Sequence, residues 1–156
     1  MVSKTEPLYS RLRAEQQYTA RQFLFAGTHV ALARADFDAA SSLLDEAKAL
    51  LTKLKNDTDP AWRVYHSYTA RLALGQRRFT DAEHAASAAL RLSQLQAIDP
   101  EVSIFVGEDL LSHAQALVGL GATTRVPSEA KRAMTLIETV AGPKHPLYDR
   151  ARALAF

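Results

Sequence analysis

The sequence predicts an all-α fold, and three features of its composition and patterning support this prediction. Alanine and leucine supply 49 of the 156 positions, whereas isoleucine supplies three and valine eight. Alanine and leucine lose little free energy on entering a helix, whereas β-branched residues favour strands. No stretch combines apolar and polar alternation with β-branched residues, and glycine and proline fall mostly at the edges of helical patterns.

The length and composition of the chain restrict its class. Its 156 residues predict one domain, 1–156, and 47% hydrophobic with 23% charged residues is typical of a globular protein. The formal charge is only +2, and the absence of cysteine excludes disulfides, thiolate metal sites and a cysteine nucleophile. Because the sequence shows neither a membrane-spanning apolar run nor a signal-peptide core, we expect a cytoplasmic protein without membrane contact.

Helix-capping signals divide the chain into seven predicted helices. Asp59-Pro60 and Asp99-Pro100 each place an N-capping carboxylate before a proline at the first helical position. Residues 80–83 have the spacing of a capping box, and Gly121 and Gly142 indicate helix ends. The first helix is long enough to be two, but no breaker marks a division. The predicted helices cover about 6–35, 37–56, 60–76, 80–97, 101–120, 128–141 and 146–155.

An internal repeat with an offset of 42 residues relates two successive helical hairpins. The offset aligns residues 35–40 with residues 77–82, each segment carrying a turn aromatic three residues before an alanine. Small residues at a helix crossing let two backbones approach, and the aromatic fills the space beside the turn. The matched pairs are Thr28 with Ala70, Phe37 with Phe79, Ala40 with Ala82, and Ala47 with Ala89.

A third and looser copy of the repeat follows the second. It has Leu110, Ala114 and Gly121 on its first helix, and Ala130 and Ile137 on its second. Repeats with a fixed period of this length are typical of solenoids, in which each unit buries one face against the next.

The small and aromatic positions of these copies resemble the tetratricopeptide repeat (TPR). The 42-residue period and the run Gly142-Pro143-Lys144-His145-Pro146 resemble the kinesin-light-chain-type variant, although Leu24 and His66 replace the usual tryptophan. The resemblance implies a right-handed α-solenoid of about three TPR-like helical hairpins, at about 20–56, 60–97 and 101–141, with a capping helix at 146–155. An irregular helical bundle is the alternative.

In this family the first helix of each repeat lines a concave groove that binds a peptide or a partner helix. The lysine and asparagine with which some members bind a chaperone's C-terminal carboxylate are absent here, so we expect no docking of those tails. Aromatic residues in the third predicted helix add a further interface candidate. For Phe25 and Leu111, packing within the fold is the alternative. The candidate groove residues are Phe25, His29, Val64, Tyr65, Arg71, Leu74, Leu111 and Gln115.

The resemblance implies a non-enzymatic protein-interaction module, an adaptor or scaffold. The alternatives are a regulatory sensor for a signalling peptide or small molecule, and a small dedicated chaperone for a secreted or assembling partner. The C-terminal helix either caps the third repeat or exchanges with a second copy to give a homodimer.

The sequence shows no arrangement of residues that indicates catalysis. Its five histidines form no metal-binding pair at helical spacing, so each is interpreted as a surface or half-buried imidazole. Neither a phosphate-binding glycine loop nor a nucleophile elbow is present. We therefore expect no catalytic residue, metal or cofactor, and nucleic acid is a less favoured partner than protein because no DNA- or RNA-binding motif is present.

Overall fold

The computed structural model describes residues 6–156, with side chains from residue 15 onward, and this part of the chain is all-α, as predicted. The chain divides into a first compact unit that ends at Asn56 and a second unit of Asp57–Phe156. Residues 1–5, where the sequence shows no signal-peptide core, lie outside the described residues. In the described part, no helix has the length and apolarity needed to cross a membrane.

The first unit is a hairpin of two helices, α1 (Glu6–Ala33) and α2 (Phe37–Leu54). The carboxylate of Asp36 accepts the backbone N–H of Ala39 at 3.1 Å and so caps the start of α2. α1 is one continuous helix. The buried residues of α2 recur every three or four positions, as in an amphipathic helix. They are Ala40, Leu44, Ala47 and Leu51.

The second unit contains five helices joined by short connections. They are α3 (Ala61–Gly75), α4 (Phe79–Gln96), α5 (Ile104–Gly119), α6 (Val126–Ala141) and α7 (Pro146–Ala155). Each helix packs on the next, and α3 also packs on α5, and α5 on α7. The three odd-numbered helices therefore lie side by side, and we call them the odd layer.

The small positions of the first two copies are buried in the structure, whereas the turn aromatics Phe37 and Phe79 are half-buried and Gly121 of the third copy is exposed. In each of the first two copies, the three small residues are completely inaccessible to solvent. Close packing of the helices explains why these positions need small side chains. The residues are Thr28, Ala40, Ala47, Ala70, Ala82 and Ala89, and the third-copy residues Leu110, Ala114, Ala130 and Ile137 are buried as well.

The carboxylates of both aspartate–proline pairs accept backbone N–H groups at the start of helical segments, but not at the predicted positions, since α3 begins at Ala61 with Pro60 as its N-cap and Asp99 caps a 3-10 turn. Asp59 accepts the backbone N–H of Ala61 at 2.9 Å, and Asp99 accepts that of Glu101 at the same distance. The second segment is shorter than predicted, because Pro100–Val102 forms a separate 3-10 turn before α5 begins.

The capping box predicted at residues 80–83 is not formed. Because α4 already begins at Phe79, Glu83 lies within the helix, where it accepts a hydrogen bond from the Ser87 hydroxyl at 3.0 Å. The sixth helix also begins earlier than predicted, at Val126 instead of residue 128.

The turn aromatic Phe79 explains why α5 ends on a glycine. A Cβ at Gly119 would overlap the Phe79 ring. We predict that Gly119→Ala lowers the free energy of unfolding by about 1 kcal/mol, because overpacking outweighs the better helix propensity of alanine. Urea denaturation monitored by circular dichroism measures the change.

Gly27→Ala is the matched control for this prediction. Gly27 lies inside α1, and its added Cβ would meet only the flexible end of Leu43, at 3.1 Å. Alanine there should raise stability by about 0.5 kcal/mol through helix propensity. Equal effects of the two substitutions would contradict the role assigned to Phe79.

Candidate partner-binding surface

Each of the three helices of the odd layer carries one polar residue of the candidate surface. Arg71 on α3 is exposed, and Gln115 occupies the corresponding repeat position on α5. Arg150 on α7 donates a hydrogen bond to the Gln115 side-chain oxygen at 3.2 Å, so these two residues connect α5 to α7. We call Arg71, Gln115 and Arg150 the transverse row.

The ring of Tyr68, one turn before Arg71 on α3, contacts the Arg71 guanidinium. The Arg71 guanidinium carbon lies 5.3 Å from the centre of the Tyr68 ring, within the range of a cation–π interaction. Burial raises the pKa of the Tyr68 hydroxyl above 10.0, the Arg71 charge opposes this shift, and the Glu108 carboxylate adds to it. Glu108 is therefore the acidic neighbour of the row.

The other groove candidates of the second unit are less exposed than Arg71. Val64 and Tyr65 are half-buried, and the Tyr65 ring meets the Trp62 ring edge-on with centroids 5.7 Å apart. Leu74 is half-buried against a core cluster formed by α3, α4 and α5. Leu111 is only 2% exposed and lies in the core with residues of α6 and α7, so its side chain offers no binding surface.

The two candidates of the first unit differ from each other. Phe25 is 6% exposed, so it offers almost no surface to a partner, whereas His29, one turn later on α1, is exposed. Packing within the fold, the alternative that the sequence left open for Phe25 and Leu111, therefore describes both residues.

A buried ion pair joins α3 to α5. Nη1 of Arg63 lies 3.4 Å from Oδ2 of Asp109, whose side chain has no exposed surface. The guanidinium carbon of Arg63 lies 4.2 Å from the centre of the Phe105 ring. Burial raises the pKa of Asp109 to about 6; the Arg63 charge and the hydroxyls of Ser67 and Ser93 oppose this shift only in part. Sequence reasoning did not identify this pair.

A buried histidine connects three helices. Nδ1 of His113 on α5 lies 2.6 Å from a carboxylate oxygen of Glu129 on α6, and Nε2 lies 3.3 Å from one of Glu83 on α4. Burial raises the pKa of Glu83, but hydrogen bonds from Ser87 and His113 outweigh this effect and leave the pKa below its usual value. The interpretation of His113 as a surface or half-buried imidazole is therefore wrong, because it is 4% exposed.

The spacing along α5 was the signal that could have identified His113 and Asp109. Both lie among apolar residues that the helical period turns toward the core, in the stretch from Val106 to Leu117. A polar group at such a position needs a partner, because burial without a hydrogen bond is unfavourable.

Comparison with solved structures supports the fold. The chain is similar to the crystal structure of a TPR-like protein from Chlorobium tepidum, with a TM-score of 0.74 and 20% sequence identity. The similarity covers 90% of this chain and 92% of that chain, so the prediction of a TPR-like helical repeat fold is confirmed. The chain matches no protein-family model and no curated protein.

Proposed function

We propose that the chain is a non-enzymatic interaction module, an adaptor or scaffold that binds a peptide segment of another protein on the odd layer. The transverse row is the observation that supports this function. It places one aromatic-supported cation, one amide and a second cation on three adjacent helices, and such side chains bind the backbone and polar groups of a peptide.

The helices below the row are held together by core packing and by an ion pair, which supports a binding role. Leu111, one turn before Gln115, is packed in the core, and the ion pair of Arg63 with Asp109 joins α3 to α5. A surface held by packed helices needs little reorganisation on binding, which lowers the entropic cost of association.

We predict that Arg71→Glu abolishes binding of this module to its partner. Purified chain used as bait in extracts of its source organism, with quantitative mass spectrometry, should recover a protein that Arg71→Glu loses by at least tenfold, because the reversed charge repels a ligand of the row. Arg91→Glu is the matched control, since Arg91 is an exposed arginine on α4, outside the odd layer. Circular dichroism verifies that both variants fold.

A set of partners that changes equally with Arg71→Glu and Arg91→Glu would contradict the assignment of the odd layer. Val64, Tyr65 and Leu74 flank the row on α3 and would supply apolar contacts at its edge. Tyr65→Ala should weaken binding less than Arg71→Glu, because its ring is already half-buried.

We further propose a cytoplasmic location and membership of the kinesin-light-chain-type variant of the repeat. The run from Gly142 to Pro146 supports the second proposal through its geometry. Gly142 has a φ of 82°, and the ring nitrogen of His145 accepts the backbone N–H of Leu147 at 3.3 Å, so this run ends α6 and begins α7. α7 packs on α5 and α6, and we propose that it caps the third repeat.

A further inference from the structure

The buried titratable side chains of the described chain lie on a single helix. Among residues 15–156, whose side chains the structure describes, only Asp109 and His113 are both titratable and buried. They lie one turn apart on α5, where Asp109 contacts α3 and His113 contacts α4 and α6. We call the packing of α5 against α3, α4 and α6 at these two residues the α5 interface.

The His113 ring needs a proton on each nitrogen to satisfy its two neighbours. Nδ1 lies 2.6 Å from a carboxylate oxygen of Glu129, and Nε2 lies 3.3 Å from one of Glu83. A carboxylate only accepts hydrogen bonds, whereas a neutral imidazole has one donor and one acceptor nitrogen. Loss of one ring proton therefore replaces a charge-assisted hydrogen bond with a contact between two acceptors. Histidine is the side chain whose ordinary charge change falls between about pH 5 and pH 8.

Asp109 also favours the fold in its protonated form. Its side chain has no exposed surface, and Oδ1 has no hydrogen-bond partner among the described residues. An ionised carboxylate would place negative charge on a buried oxygen without a donor, which costs more free energy than burial of the neutral acid. Burial therefore raises the pKa of Asp109 to about 6, and Arg63, 3.4 Å from Oδ2, opposes this shift only in part.

Every helix packed on α5 carries charged or titratable groups toward it. These groups are Arg63 of α3, Glu83 and His84 of α4, Arg125 and Glu129 at the start of α6, and Tyr148 and Arg150 of α7, beside Glu108 of α5 itself. Burial raises the pKa of Glu83, but hydrogen bonds from Ser87 and His113 outweigh burial and keep this pKa below 4.5. The Glu83 carboxylate therefore stays ionised in mild acid.

We propose that the α5 interface is a proton-dependent contact that is most stable in mildly acidic solution and loses stability toward neutral pH. Protons on Asp109 and His113 stabilise the packing of the α5 and α6 hairpin on that of α3 and α4, whatever ligand the odd layer binds. The contribution of Asp109 is complete below its unfolded pKa of 3.8 and is lost as the pH rises through about 6. The contribution of Glu83 is present above its unfolded pKa of 4.5 and is lost at lower pH. The interface should therefore be most stable near pH 4.5.

Amide hydrogen exchange of the full chain, measured by mass spectrometry at pH 4.5 and pH 7.5, tests this proposal. After correction for intrinsic exchange rates, the protection factors of α5 and α6 should fall about tenfold or more at the higher pH. Those of α2, whose buried side chains are all alanine or leucine, should change by less than about threefold. In Asp109→Asn the fall should be at least about threefold smaller. The control His84→Asn, at an exposed position 3.8 Å from Glu83, should retain the wild-type fall.

Three outcomes of the exchange experiment would overturn the proposal: constant protection in α5 and α6, an equal change in α2, or an unchanged fall in Asp109→Asn. Nitrogen-15 NMR of the His113 ring adds a measurement that needs no substitution. Both ring nitrogens should carry protons at pH 4.5. A ring with a single proton at that pH would contradict the contacts with Glu83 and Glu129 as hydrogen bonds and would overturn the proposal as well.

Discussion

Replacing His113 with leucine should lower the free energy of unfolding by about 2 kcal/mol. The buried imidazole is the shared partner of Glu83 and Glu129, which lie on the two helices that flank α5. Carboxylates only accept hydrogen bonds, so both contacts are hydrogen bonds at once only when both ring nitrogens carry protons. Leucine has a similar volume, so its main effect is to remove the imidazole donor from two half-buried carboxylates, of which Glu83 keeps the Ser87 hydroxyl and Glu129 keeps Arg125 as a partner.

Urea denaturation of the full chain measures this effect through the midpoint at constant m-value. His84→Leu is the matched control, because His84 is exposed on α4 and lies 3.8 Å from a Glu83 oxygen; it should change stability by less than about 0.5 kcal/mol. Adding Glu83→Gln and Glu129→Gln to His113→Leu should restore part of the loss, since the amides carry no charge. A loss that these additions do not reduce would show that packing, and not charge, is responsible.

The second large effect concerns the pH dependence of Asp109→Asn. Because the pKa of Asp109 is raised from 3.8 to about 6 in the folded chain, this carboxyl group binds its proton more tightly in the folded than in the unfolded state. Its contribution to stability is complete below pH 3.8 and is lost as the pH rises to about 6. The shift corresponds to about 3 kcal/mol. Asparagine does not titrate, so the free energy of unfolding of Asp109→Asn lacks this decrease. Between pH 3.5 and pH 7 the stability of Asp109→Asn should therefore rise relative to that of wild type by up to about this amount.

Denaturation of both proteins at several pH values gives the difference directly. Asp45→Asn, at an exposed position on α2, separates the general effect of pH on the fold from that of the buried carboxyl group. Carbon-13 chemical shifts of the Asp109 side chain provide a second measurement, with a midpoint near pH 6 expected. A constant difference between the Asp109→Asn variant and wild type would show that Arg63 compensates the burial of the charge completely.

The helices and their repeat could be predicted because the signals are local. Capping residues and apolar spacing lie within one turn of the structure that they determine, and small residues at fixed offsets report close packing directly. The errors came from choices within a single turn. The predicted capping box is not formed because α4 already begins at Phe79. The N-cap of α5 is Ser103 instead of Asp99, and the Ser103 hydroxyl oxygen lies 3.4 Å from the backbone nitrogen of Val106.

The candidate surface could be predicted only in part because its contacts join distant helices. The family resemblance placed Arg71 and Gln115 at corresponding positions, but the hydrogen bond between Gln115 and Arg150 connects residues 35 apart in sequence. For Leu111 the resemblance predicted exposure to a partner that the structure does not show. It occupies a position that faces the groove in the repeat pattern, yet the packing of α6 and α7 encloses it in the core.

The three-helix contact of His113 has a consequence for how the array comes apart. In repeat proteins, neighbouring units are coupled mainly through their shared interfaces, and weak coupling lets terminal units fray independently. Glu83 belongs to the hairpin of α3 and α4, whereas His113 and Glu129 belong to that of α5 and α6. One imidazole therefore strengthens the nearest-neighbour coupling between two hairpins, and detachment of α5 and α6 from α4 requires the loss of a charged contact as well as of apolar area. Unfolding of the second unit should consequently be cooperative across this interface, which keeps the two arginines of the row on a common support until the whole unit unfolds.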